Sequence, residues 1–187
     1  MQVDLFGNKP IKKITKFETA LKRYDKETID ERGERLKYIA TLLPDEYMFG
    51  GDPETIFIFE EAKMAFINGQ FISTILLSQA YIERILQIHY NSLGLDTLSK
   101  KGLKAIIDHA KKNKTIHHFL LPKIDELRKK RNPFVHLKDY EHGYNLSQRI
   151  FNNIKEGKSY KYFTEIIYDD AKEAIRLMYA IFITPLI

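Results

Sequence analysis

The chain reads as all-α: a bundle of four to five up-and-down helices with an N-terminal helical extension. Three observations predict this class. Apolar residues recur at three- and four-residue steps through most of the 187 residues. Glycines and prolines cut the chain into segments of helical length. Strand-like patterning is confined to one short stretch, Phe163 to Tyr168, which reads equally well as irregular structure.

Residues 1–52 read as a partly helical extension and residues 53–187 as the helical domain. In the extension, basic pairs such as Lys12-Lys13 and Lys22-Arg23 alternate with scattered apolar positions, and a helix is expected over about 26–42, stopped by Pro44. Gly50-Gly51-Asp52-Pro53 marks the boundary, with two glycines to turn, Asp52 to cap and Pro53 at the first helical position. Phe57, Ile58, Ala62, Ala65 and Phe66 then predict a helix from Glu54 to Asn68, ended by Gly69. Ile72, Ile75, Leu76, Leu86 and Tyr90 predict a longer one from Phe71 to Asn91, stopped before Gly94, so the two form a helical hairpin. Leu103, Ile106, Ile107 and Ala110 share one face of a helix over 102–112, followed by Lys111-Lys112-Asn113-Lys114. Pro122 suits the first turn of the next helix. The stretch 140–168 is expected to be a loop-rich excursion, since Leu146 to Lys155 is only weakly helical in pattern. Ile167, Ala171, Ala174, Met178 and Ile181 predict a closing helix, with Asp170 and Glu173 read as its capping box.

Composition narrows the function. Hydrophobic residues make up 44% and charged residues 29%, the balance of a globular chain. Thirty Lys and Arg against 25 Asp and Glu leave a net charge of +5, which favours a polyanionic partner. Without cysteine there are no disulfides, thiolate nucleophiles or Cys-based metal sites. His117-His118 lacks a carboxylate at a helical ligand spacing from both, so no metal and no cofactor is expected. The N-terminus lacks a signal-peptide pattern and no apolar run reaches membrane-spanning length, which predicts a cytoplasmic protein that keeps away from membranes. Walker loops, dinucleotide glycine fingerprints, nucleophile elbows and His-Glu-x-x-His are absent.

The residues with chemical content are Arg131-Asn132-Pro133-Phe134-Val135-His136. Arg131 ends the run Arg128-Lys129-Lys130-Arg131, which can be read simply as a solvated basic helix end opposing the helix dipole. Yet Arg131 stands four residues beyond Leu127 and seven beyond Ile124, so it continues the apolar stripe while the other three cations point elsewhere. On an unbroken helix, residues five apart diverge by roughly 140°. Pro133 disfavours the α conformation at Asn132, so a break there is expected to turn His136 back towards Arg131. Glu83 shares a wheel face with Gln79 and Leu86 and reads either as the counter-ion of Arg131 or as half of an exposed Glu83-Arg84 pair.

The region from about Pro53 to Phe182 resembles the HEPN superfamily: a helical hairpin with an acidic residue in its second helix (Glu83 in Ala80-Tyr81-Ile82-Glu83-Arg84-Ile85-Leu86), a helix running into Arg131-Asn132-x-x-x-His136, and a closing helix. The resemblance implies a metal-independent endoribonuclease acting through the ribose 2′-OH at a composite site between two copies of the chain. Arg131, Asn132 and His136 would be catalytic, Glu83 supporting, and Arg128, Lys129 and Lys130 would bind RNA. It further implies a toxin or an effector of antiviral defence, with a cognate antitoxin or regulatory protein as partner besides RNA and a second copy. One branch carries a tyrosine two residues after the motif histidine as a target for nucleotide attachment; here that position is Lys138 and the nearest tyrosine is Tyr140. The rival expectation is a non-catalytic module that binds nucleic acid or protein through the same groove.

Overall fold

The computed structural model describes residues 15–43, 51–158, 162–184 and 186, and every regular element among them is a helix. Expectations resting on residues 1–14, Pro44 and Gly50 lie outside the described residues. Helix α1 (Lys16–Ala40) starts ten residues earlier than the pattern suggests, because Thr15 and Glu18 form a capping box. Thr15 Oγ1 accepts from the Glu18 N–H at 3.2 Å, and the Glu18 carboxylate accepts from the Thr15 N–H at 2.7 Å. Only the C-terminal part of α1 is anchored, with Ile39 buried and Arg35 Nε–H donating to the Ile67 carbonyl at 2.8 Å. Phe17, Leu21 and Tyr24 on its first half stay exposed.

Helices α2 (Pro53–Ile67) and α3 (Phe71–Ser92) form the predicted hairpin. Asp52 caps α2 by accepting from the Thr55 N–H at 2.8 Å, and Gly69, at φ +77°, makes the left-handed turn between the helices. The short α4 (Asp96–Ser99) leads into α5 (Leu103–Asn113), α6 (Leu121–Val135), α7 (Leu146–Lys155) and α8 (Phe163–Ile183). Helix α3 is central: it packs on α2, α4, α5, α6 and α8, whereas among the described residues α7 rests on no helix but α8. This is why α3 is buried on more than one face, with Ile75, Ser78, Gln79, Tyr81, Ile82, Leu86 and Tyr90 all inside. Phe59 centres an aromatic cluster, with ring centroids 5.2 Å from Tyr81, 4.9 Å from Tyr179 and 5.2 Å from Phe182.

The structure corrects three expectations. The segment 140–168 is not a loop excursion, since it contains α7 and the first turns of α8. Asp170 is no cap: it lies inside α8, buried, and accepts both guanidinium nitrogens of Arg149 from α7 and Lys130 Nζ from α6 at 3.0 Å. That ion cluster gives a short helix with no fully buried side chain a fixed seat. The third correction concerns Pro133, which does not break α6; the helix runs on to Val135. Proline forfeits the bond that residue 133 would donate to the Lys129 carbonyl, but this happens in the last turn. There Phe134 packs against the core and the His136 N–H bonds the Asn132 carbonyl at 2.9 Å, so tertiary contact outweighs the local preference. Among the described residues no helix is long and apolar enough to cross a membrane.

Candidate functional site

Helices α3, α5 and α6 converge on an open cleft of about 570 Å³, lined by Gln79 and Glu83 from α3, Gly102 to Ala105 and Asp108 at α5, and Arg128, Arg131 and Asn132 from α6. Arg131 does continue the apolar stripe: Ile124 and Leu127 are buried below it, and Arg131 Nε itself is shielded from solvent. No hydrogen bond reaches that Nε–H from the described residues. Gln79, only 3% exposed, likewise has an Oε1 without a donor. The cleft therefore contains a buried N–H donor and a buried acceptor, both unpartnered, and each such group costs about 1–3 kcal/mol until something pairs with it. A ligand offering both an anionic acceptor and a hydroxyl would satisfy them together.

The remaining charges around the cleft are already committed. Glu83 does not pair with Arg131, nor with Arg84. Its Oε1 accepts from the Leu103 N–H at 2.9 Å, so it caps α5, whose N-cap Gly102 has no side chain to do so. Arg84 turns the other way, to Asp52, Thr55 and Glu54. Those hydrogen bonds, from Arg84 first and then from Thr55, hold the Asp52 carboxyl far below the usual carboxylate range. Lys104 pairs with Asp108 at 2.6 Å across one turn of α5.

The three cations assigned to RNA are also held. Arg128 makes two hydrogen bonds to Asp125, at 3.0 and 2.8 Å, Lys129 Nζ lies 3.3 Å from the same carboxylate, and Lys130 belongs to the Asp170 cluster. Of these, only Arg128 borders the cleft with Arg131. Burial pushes the Asp125 carboxyl up, but the hydrogen bonds from Arg128 and Lys129 outweigh it and leave the group below its ordinary value.

His136 is not brought to Arg131. Because α6 runs on to Val135, positions five apart stay roughly 140° apart around its axis; Arg131 and Asn132 line the cleft, while His136 stands exposed at the helix C-cap between the exposed Val135 and Leu137. Asn132 serves both ends, lining the cleft and capping His136 with its carbonyl. Gln79 is legible in the sequence only as a polar residue on the Glu83 face, four positions before it. Among the described residues no three His, Asp or Glu side chains gather to hold a metal ion. Compared with family models, curated proteins and solved structures, the chain finds no match.

Proposed function

We propose that the protein is a metal-independent endoribonuclease of the HEPN kind, whose working site is completed by a second copy of the chain. The observation carrying this reading is Arg131: a guanidinium on a buried stripe, its Nε–H unpartnered, lining an open cleft. An arginine so placed is suited to a phosphodiester, whose oxygens would accept from it and whose transition-state charge it would stabilise. The neighbouring Gln79 carboxamide offers an acceptor to a ribose hydroxyl. In the chemistry proposed, one His136 imidazole takes the 2′-OH proton and O2′ attacks phosphorus as the P–O5′ bond breaks. An imidazole from the other copy returns a proton to O5′, leaving a 2′,3′-cyclic phosphate and a 5′-hydroxyl. Exposed Val135 and Leu137 flank His136 and would be covered at the shared interface. The role inferred from the family is that of a toxin or antiviral-defence effector, held in check by an antitoxin or regulatory protein. Tyr140, 78% exposed, is accessible to nucleotide attachment by such a partner.

The test is incubation with total RNA in chelator, comparing the protein with its Arg131→Ala and His136→Ala variants, mapping the cut ends and measuring the mass of the particle. Expected are cyclic-phosphate ends from a dimer and at least about a hundredfold loss in each variant. Cleavage unchanged in both variants, or abolished by chelator in the wild type, would sink the reading.

One observation favours a second reading, a non-catalytic RNA-binding module: within a single chain, Arg131 and His136 do not open to one cleft. RNA retained without any cut product by a dimeric protein would select it.

A further inference from the structure

The positive charge of this molecule is concentrated on one segment, which ends at Arg131. Between Lys100 and Arg131 the chain carries eleven Lys and Arg against three Asp and Glu, a net of +8 in a protein whose total is +5, so the rest of the chain is net negative. Lys100 and Lys101 precede α5; the other nine cations lie on α5, α6 and the turn between them, which fold into one hairpin with a net of +6. Lys104, Lys111, Lys112, Lys114 and Lys123 on it are exposed. Along its seam the Asp125 carboxylate faces Arg128 at 2.8 Å, Lys129 at 3.3 Å and Lys111 at 3.7 Å, three cations on one anion. The excess is local and positive.

A second observation identifies the kind of polyanion. In the turn at the far end of the hairpin, Phe119 is 50% exposed, its ring stacked on His117 with centroids 5.5 Å apart and planes 28° apart. His118 meets the same ring edge-on at 6.0 Å. From Leu121 to Arg131 is ten residues, about 15 Å at 1.5 Å per residue, which an extended strand covers in a few nucleotides. An open groove whose charged and polar lining is Lys111, His118, Asp125, Glu126 and Lys129 lies between. Cations along a seam that ends in an exposed aromatic platform fit a single strand, whose bases are free to stack. A duplex keeps its base faces covered and an acidic peptide has none to offer.

We propose that the α5–α6 hairpin is a subsite for single-stranded RNA flanking the cut, with phosphates on Lys111, Lys114 and Lys129 and a base stacked on Phe119. Its orientation towards a cut site rests on the ribonuclease reading; its binding does not. The experiment measures anisotropy of a labelled 2′-O-methyl RNA of about 12 nucleotides, within the range of single-strand sites, which cannot be cleaved because no 2′-OH is free. The full-length protein is titrated with it as single strand and as duplex, with polyglutamate as competitor. The strand should bind more tightly than the duplex and resist polyglutamate. Phe119→Ala, a change at a half-exposed position, should weaken binding on the order of tenfold. Lys111→Gln with Lys114→Gln should weaken it and reduce the salt slope by roughly 0.7 for each phosphate no longer neutralised. Unchanged affinity in either variant, duplex or polyglutamate bound as well as the strand, or no binding by the wild type would overturn the subsite. Strand binding with this dependence but no cleavage of natural RNA would sink the nuclease and leave the subsite standing; cleavage indifferent to both variants would do the reverse.

Discussion

Arg131 and Glu83 show how much a single residue's partner matters. The sequence offers Glu83 either Arg131 or its neighbour Arg84 as partner, and Glu83 and Arg131 are instead defined by backbone and cleft. Glu83 uses its carboxylate oxygen to hold the Leu103 N–H at the start of α5. An amide oxygen accepts the same bond, so Glu83→Gln should leave stability nearly unchanged, while Glu83→Leu should cost about 1–2 kcal/mol by orphaning that N–H. Urea denaturation of the two variants checks this. A Gln variant as damaged as the Leu variant would mean that the negative charge, and hence an unseen ion pair, is what matters. Arg131 can be picked out from its place on the stripe, four residues after Leu127, because helical spacing alone decides which side of α6 it occupies. The partner of Glu83 cannot, because Leu103 is brought to it by a chain reversal with no local signature.

At the scale of elements, local preference misleads at both α6 and α7. Pro133 and the thin apolar pattern of Leu146 to Lys155 argue for a break and a loop, yet both segments are helical because another element holds them. For α7 that hold is the Arg149 and Asp170 pair, with Lys130 adding a cation from α6. Breaking a buried pair strands a charge, so Asp170→Asn should destabilise the protein by about 3–5 kcal/mol. Amide exchange should then accelerate across 146–155 more than across α3, since a ten-residue helix without its anchor is marginal in water. Uniform acceleration through both helices would mean that α7 opens only with the whole bundle. In sequence Asp170 reads as a capping residue because acid–x–x–acid spacing resembles a cap; its burial among two cations from other helices is visible only once the helices are packed.

The whole molecule is organised around α3 and its aromatic neighbours. Burial pushes the Tyr81 hydroxyl up to about 12, and it raises Tyr38 and Tyr90 in the same direction. The native state therefore keeps these protons more strongly than the unfolded chain, where tyrosine titrates near about pH 10. Stability should be intact below about pH 10 and fall as pH rises towards about 12, with Tyr81 alone contributing on the order of 2 kcal/mol. Comparing urea midpoints at about pH 9 and about pH 11 for the wild type and Tyr81→Phe checks the sign; equal losses in both proteins would remove Tyr81 as the cause. The same packing that buries these rings folds α5 against α6, so that cations from two consecutive helices share one seam.

Residue order alone determined the class, the α2–α3 hairpin, the apolar stripe under Arg131 and the absence of thiol chemistry, because periodicity, glycine and proline placement and composition are local properties. It also named the motif residues but not their company. Whether Arg131 meets His136, what Glu83 holds, which carboxylate answers Arg149 and Lys130, and where α7 rests were decided by the tertiary structure. Each is a matter of how the helices run and meet, and the burial that makes such contacts strong comes into being only when they pack.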